Sequence, residues 1–437
     1  MFGLFRPAML VVGYLLLAMA GMMLVSMAVV HHPFNGQGAP LLFAAVITGG
    51  AGLVPLVLGR IDPGTHTTYR QIFLITVTSW TVVPLFGALP FFLSGELGFV
   101  DSVFESVSGI TTTGSTVLVG LDTMPEVILF WRSVLQWLGG IGIIAMAAAV
   151  LPLLKVGGMR LFRTESSDWS EKAMPRARQI YKALLIAYVL LSVLCGFAYW
   201  VAGMDWFDAI NHAATTISTG GFSTSDASMG QFDSLVILWI STVFMAAGGV
   251  PFLLYARFLS DGEISVFKDE QVMGYVKFLS VASLVIGGYL VVTQDMSFLQ
   301  AITRAAFNVT SIVTTTGYAS EDYTLWGSFA IAMFLFLTMV GGCSGSTAGG
   351  MKIFRFQLCF MFLQDHLTKL IHPHVVVAKK YNGRPLPDDI VTSAVAFSFL
   401  FFMALAACTI ALAAMGLDLV TSFSAAATAL TNVGPGL

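Results

Sequence analysis

Thr111, Thr112, Thr113 and Gly114 form a polar string in a very apolar chain, and variants of it return three times. They are Ile217-Ser218-Thr219-Gly220, Thr314-Thr315-Thr316-Gly317 and Thr431-Asn432-Val433-Gly434. The four glycines lie 106, 97 and 117 residues apart, the mark of a fourfold internal repeat. In front of each string is a short, mostly apolar run, such as Phe104 to Ile110 or Phe423 to Ala429. A helix of about ten residues rises only about 15 Å, roughly half the hydrocarbon thickness of a bilayer. Each run must therefore enter a membrane and turn back.

The surrounding composition agrees. Of the 437 residues, 57% are hydrophobic and 10% charged, against about 25% charged in soluble domains. This predicts an all-α polytopic membrane protein. The net charge of −3 and the uneven placement of Lys and Arg leave no continuous basic face, so nucleic acid is not a partner. Cys195, Cys343, Cys359 and Cys408 show neither metal-ligand nor paired spacing and read as small packing residues.

Outward from the strings, the plan is regular: a long apolar helix, a half-length run ending in the Thr/Gly string, then a second long helix. Runs at Ala8 to Val30 and Leu41 to Gly59 precede it and form a hairpin. Unit one uses Gln71 to Leu93, Val103 to Gly114 and Val127 to Leu154. Unit two uses Ala183 to Ala202, Phe207 to Gly220 and one helix from Leu235 to Leu259. Unit three uses Val276 to Val292, Ala301 to Gly317 and Phe329 to Ile353. The fourth begins at Ile390 and reaches Gly434, close to the last residue, Leu437. The expected domains are 1–69, an amino-terminal hairpin; 70–178, 179–272 and 273–385, three repeats; and 386–437, an incomplete fourth.

Cytoplasmic loops collect Lys and Arg. With Arg6 inside, so are Arg60, Arg70 and the stretches Lys155 to Lys182, Arg257 to Lys277 and Arg355 to Arg384. The opposite loops carry Asp101, Asp122, Asp205, Asp226, Glu321, Asp418 and other acids, with no Lys or Arg. All four strings then open on the outer, acidic side.

Irregular backbone at membrane depth persists only where it is buried in protein or lines water, and glycine lets such a string turn its carbonyls inward. Four strings around one axis would replace the hydration shell of a cation with oxygens, and the half-helices would aim their negative C-terminal ends the same way. The candidate ion-binding residues are Thr112, Thr113, Gly114, Ser218, Thr219, Gly220, Thr315, Thr316, Gly317, Asn432, Val433 and Gly434. Glu105, Asn211 and Asn308 each lie nine residues before a glycine of this set, which suggests a recurring polar brace. Arg132 and Arg304, near outer helix ends, are expected to pair with Asp or Glu or to snorkel.

A second unusual stretch runs Gly341-Gly342-Cys343-Ser344-Gly345-Ser346-Thr347-Ala348-Gly349-Gly350, followed by Met351 and Lys352. Half of these ten residues are glycine, which no regular helix sustains. The helix should break there and leave a small-residue loop below the strings, able to occlude the path and move cheaply. Lys352 is costly at membrane depth unless it is paired or hydrated, so a place beside the path, repelling cations, is expected. An enzymatic alternative starts from the same residues: Gly342, Cys343, Ser344 and Gly345 match the G-x-S-G string of intramembrane serine proteases, with His212 the nearest candidate base. Such an enzyme has no use for four Thr/Gly strings.

Taken together, the fourfold plan and the GGCSGSTAGGMK segment resemble the superfamily of bacterial potassium transporters that contains TrkH and KtrB, from about Gln71 to Leu437. The amino-terminal hairpin is similar to TrkH. The resemblance implies a potassium-channel-like fold in one chain, with a selectivity filter built from the four loops, Gly341 to Gly350 as an intramembrane gate, and potassium as substrate. It also implies a homodimer in the cytoplasmic membrane, with an amino terminus inside and lipid around it. A cytosolic nucleotide-binding ring of the TrkA type would dock on basic segments Lys155 to Arg178 and Lys369 to Arg384. Members of the family continue beyond the fourth filter into a last pore-lining helix, so a shortened chain is expected here. Whether potassium moves through a gated channel or by proton- or sodium-coupled symport is left open by these residues.

Overall fold

The computed structural model describes residues 2–30, 38–58, 68–149, 173–262, 268–375 and 379–435. Arg60 and most of the basic stretch from Lys155 to Arg178 lie outside the described residues. Two long helices, α1 (Phe2–Val29) and α2 (Ala39–Leu58), open the chain as an antiparallel pair. Neither contains a charged residue beyond Arg6, so lipid-facing positions such as Phe43 and Val46 stay exposed while Met23, Leu41 and Ala44 are buried.

Next come α3 (Tyr69–Gly87), capped by a reciprocal Thr68–Gln71 pair, α4 (Leu89–Ser94), the half-length α5 (Phe99–Ile110) and α6 (Glu126–Ala149). The second unit holds α7 (Ala173–Val201), the half-length α8 (Trp206–Ile217), α9 (Leu235–Gly248) and α10 (Phe252–Asp261). The third holds α11 (Glu270–Thr293), the half-length α12 (Phe298–Val313), α13 (Ser328–Met339) and α14 (Ile353–Ile371). The fourth holds α15 (Asp388–Ala414) and the half-length α16 (Leu419–Thr431).

Among the described residues, seven helices are long and apolar enough to cross a membrane, and α9 with α10 makes an eighth if that bent pair is one span. The protein is therefore multi-pass. One expectation fails here: Leu235 to Leu259 is not one helix but two, bent by 89°. The cause is Gly248-Gly249-Val250-Pro251. Pro251 has no N–H to donate into the preceding turn, and Val250 closes the first helix on the Ala247 carbonyl at 3.1 Å.

The four half-helices pack at the centre, against the long helices of their own and neighbouring units. Their N-termini are capped by acceptors where the sequence supplies them: Asp205 for α8, Ser297 for α12 and Asp418 for α16. Separate apolar clusters lie behind them: one around Tyr275, Phe334 and Leu337 packs α12, and another around Trp131 and Leu135 packs the end of α5.

Candidate functional site

Every half-helix ends the same way. Thr112, Thr219, Thr315 and Asn432 take left-handed backbone angles, with φ of 59°, 52°, 58° and 66°, and two residues later Gly114, Gly221, Gly317 and Gly434 do so again, at 85°, 77°, 78° and 95°. Between them, the N–H groups of Thr113, Gly220, Thr316 and Val433 donate to the carbonyls of Ser108, Thr215, Ser311 and Thr428, at 2.9, 2.9, 2.8 and 3.1 Å. That is the six-residue closure of a Schellman motif. A β-branched residue in this conformation is strained, by about 1–3 kcal/mol, and three of the four units place a Thr there.

This geometry corrects the register of the second loop. Ser218 is a right-handed helix cap, the counterpart of Thr111 and Thr314. The trio matching Thr112-Thr113-Gly114 is thus Thr219-Gly220-Gly221, one residue later than the string Ser218-Thr219-Gly220 suggested. Two adjacent glycines make either register readable in the sequence. The left-handed angle falls on the second of them.

The loops also meet one another. A Cβ on Gly114 would collide with the Gly220 carbonyl oxygen, one on Gly221 with that of Thr316, one on Gly317 with that of Val433, and one on Gly434 with that of Thr113. The order is one to two, two to three, three to four and four back to one, a closed cycle of backbone carbonyls against glycines. Across the last junction Asn432 donates from Nδ2 to the Thr111 carbonyl at 2.9 Å, and the Thr113 hydroxyl donates to Asn432 Oδ1. Ser115 Oγ adds a bond to the Gly434 carbonyl at 3.0 Å.

Behind the cycle lie supports that the sequence reading only half found. Glu105 accepts from Thr116 Oγ1 at 2.9 Å and from the Val117 N–H at 3.2 Å. Asn308 bonds both the hydroxyl and the N–H of Ser320, at 2.8 and 3.4 Å. Asn211 does not share this role: it donates to the Phe207 carbonyl within its own helix. With the corrected register the ninth residue back from Gly221 is His212, and its Nε2 meets Ser223 Oγ at 3.0 Å. Gln136 was not foreseen at all. Its Nε2 donates to the Gly220 carbonyl at 2.7 Å and its Oε1 accepts from the Phe222 N–H at 3.0 Å. A polar residue fully buried in the apolar run of α6 was the available signal. Arg132 and Arg304 do pair with acids, Glu105 at 2.8 Å and Glu321 at 2.5 Å.

The glycine-rich stretch breaks its helix as expected. Its ends are clipped by a parallel pairing of β1 (Val340–Gly341) with β2 (Met351–Lys352), so residues 341–350 form a closed loop. That loop abuts the half-helix ends. Thr347 Oγ1 donates to the Ile217 carbonyl at 3.1 Å, the Gly349 N–H to Thr315 Oγ1 at 2.6 Å, and the Gly350 N–H to the Thr431 carbonyl at 2.7 Å. On the other side it sits on the break between α9 and α10, where the Cys343 N–H donates to the Gly249 carbonyl at 2.9 Å and the Gly345 carbonyl accepts from the Phe252 N–H at 3.0 Å. The broken helix thus supplies the carbonyls and N–H groups that a continuous helix would have used internally.

Lys352 does not stand clear beside a path: its ammonium donates to the Ala348 carbonyl of its own loop. Ser344 and His212 form no dyad. The imidazole is occupied by the Asp208 carbonyl and Ser223 Oγ, while the Ser344 N–H is held by Gln271 Oε1 at 2.9 Å. Of the basic segment Lys369 to Arg384, Lys369 and Lys379 both reach Asp365, at 2.9 and 3.0 Å.

The fold and site together define a class, a multi-pass membrane protein whose short half-helices converge on a cycle of backbone oxygens capped by a glycine-rich loop. Residues 53–291 and 281–437 match the family described as TrkH, a cation transport protein. Similar proteins include the Trk system potassium uptake protein TrkI of Halomonas elongata, 47% identical over 91% of this chain and 80% of its own length. Another is the Trk system potassium uptake protein TrkH of Escherichia coli K12, 37% identical over 99% and 91%. The crystal structure of the potassium transporter TrkH from Vibrio parahaemolyticus superposes with a TM-score of 0.90 at 36% identity, covering 99% of this chain and 91% of that one. The chain belongs to the TrkH family of cation transport proteins and is a transporter, not an enzyme.

Proposed function

We propose that this protein carries potassium into bacteria across the cytoplasmic membrane through a filter made of four unequal loops, Thr112–Gly114, Thr219–Gly221, Thr315–Gly317 and Asn432–Gly434. The observation that carries this reading is the closed glycine-to-carbonyl cycle. The helical hydrogen bonds stop at the half-helix ends, and in this reading the backbone oxygens beyond them replace water around a dehydrated cation, apart from the Gly220 and Gly434 carbonyls, which Gln136 and Ser115 already bond. The names of the relatives as potassium uptake proteins support potassium as that cation. Three loops offer one glycine and the second offers two, none of them a longer run, so fewer tight sites and weaker discrimination against sodium are expected than in tetrameric potassium channels.

In this reading the loop 341–350 is the gate. It lies against the helix-terminal carbonyls of the second and fourth units and the left-handed Thr315, where a closed barrier would sit beneath the filter. The Lys and Arg distribution supports an amino terminus in the cytosol. The family resemblance adds a homodimer and a TrkA-like nucleotide-binding ring docked on the basic side that includes Lys369 to Arg384.

The test is rubidium uptake by cells lacking other potassium uptake systems. Gly317→Ser places a side chain against the Val433 carbonyl and should abolish uptake or its preference for rubidium over sodium. Unchanged rubidium-over-sodium uptake would overturn the filter. Shortening the loop between Cys343 and Ala348 should raise ungated flux, and an unaltered flux would remove the gate assignment.

A further inference from the structure

Arg132 reaches further than a simple ion pair. From α6 its guanidinium donates through Nε to Glu105 Oε1 at 2.8 Å and through Nη2 to Thr116 Oγ1 at 3.1 Å, both in the first unit. Through Nη1 it donates to the Ser223 carbonyl at 3.0 Å, in the segment that follows the second loop. Its flat face lies 4.2 Å from the Phe222 ring centre, next in sequence to Gly221. Arg132 and Glu105 are 1% and 0% exposed, and among the described residues no other ion pair is so deeply buried.

The other units are built differently at this position. Nine residues before the glycine stand a His, an Asn and an Ala, at His212, Asn308 and Ala425, so the junction of loops one and two is where an ionic strap spans two units. A buried ion pair is a poor way to gain stability, because well-packed apolar residues often serve as well. Its distinctive property is geometric: a planar guanidinium with several fixed donors accepts few arrangements of its partners.

We propose that Glu105 and Arg132 are specificity-determining positioning residues that fix the spacing of the first and second loops, and with it the preference for potassium over smaller cations. The proposal rests on the filter reading above. Glu105 holds the outgoing strand of loop one through Thr116 and Val117, and Arg132 transfers that position to loop two through Ser223. With either charge lost, the Gly114 to Gly220 contact loosens and the site accommodates sodium.

The experiment measures rubidium-86 uptake, with sodium as competitor, into proteoliposomes holding full-length protein. Glu105→Gln and Arg132→Met should each reduce the rubidium preference by about tenfold. The double variant Glu105→Gln/Arg132→Met should be no less selective than the worse single, because both break one strap, and should unfold near the wild-type temperature. A wild-type preference in the singles, or additive losses in the double, overturns the proposal. Should the neutral variants not reach the membrane, Arg132→Lys carries the test. It keeps the charge but cannot hold Glu105, Thr116 and Ser223 together, so an unaltered preference is again a refutation. Gly317→Ser run in parallel separates the two readings: if it keeps selective uptake the filter itself is wrong, whereas its loss beside unaltered Glu105 variants removes the strap alone.

Discussion

Gly220 and Gln136 show how one residue's absence is answered by another. The other three loops carry a side chain at this position, Thr113, Thr316 and Val433, and the second carries none. The Gln136 carboxamide fills that space: a Cβ on Gly220 would land on it. Gly220→Ala alone should be damaging because Gln136 is fully buried and bonded to both sides of the loop. In the background of Gln136→Ala it should be much milder. The interaction term of this double-mutant cycle, read from thermal or denaturant unfolding in detergent, is expected at about 1–3 kcal/mol, and additive losses would refute the contact. At Gly221 no such rescue exists, since both the positive φ and the Thr316 carbonyl oppose any side chain. Gly221→Ala should therefore lose uptake in every background, measured as rubidium flux.

At the scale of elements, the break between α9 and α10 and the loop 341–350 act as one unit. Gly249 joins them: its carbonyl holds the Cys343 N–H, while its bare Cα sits where a Cβ would strike the Tyr275 hydroxyl on α11. Gly249→Ala should displace the loop and raise ungated rubidium leak while leaving the half-helix ends intact. On the basic side, a two-residue hairpin of β3 (Lys380–Tyr381) and β4 (Arg384–Pro385) is tied to the start of α11, where Asn382 Nδ2 donates to Asp269 Oδ2 at 2.9 Å. Beside it, hydrogen bonds from Lys369 and Lys379 hold the Asp365 carboxyl below the usual carboxylate range. A carboxyl with a depressed folded pKa contributes stability that is present above its unfolded value, about 3.9, and is lost as pH falls through the lower folded value. Limited proteolysis at the hairpin should accordingly accelerate below about pH 4, and Asp365→Asn should remove that pH dependence.

For the whole molecule, the decisive contact joins residues more than three hundred positions apart, Thr113 with Asn432. It closes the cycle between the first and last units within one chain. Thr113→Cys and Asn432→Cys, placed in a background without the four native cysteines, should cross-link through a short bis-methanethiosulfonate, which forms a disulfide at each end with loss of sulfinate and is cut by a reductant. A protease site introduced between residues 155 and 172 would then leave the two halves joined until the link is cut. Separation of the halves without that step would show the cycle to be open.

The membrane class, the half-length runs and the helix-breaking glycine stretch were legible in the sequence, because they depend on local composition and on lengths set by the bilayer. Thr111 to Gly114 and Thr314 to Gly317 announced their turns directly. What the chain could not declare was anything resting on contacts between units. Gly220 and Gly221 are interchangeable until backbone angles choose between them. His212 replaces Asn211 as the brace only once that choice is made. Gln136 reads as an anomaly until the loop it bonds is beside it, and Leu235 to Leu259 reads as one apolar helix until the glycine-rich loop takes the hydrogen bonds freed at Pro251. Local propensity determined where the chain turns. Only tertiary packing, which pairs each glycine with a carbonyl from another unit, decided which residue of each turn faces its neighbour.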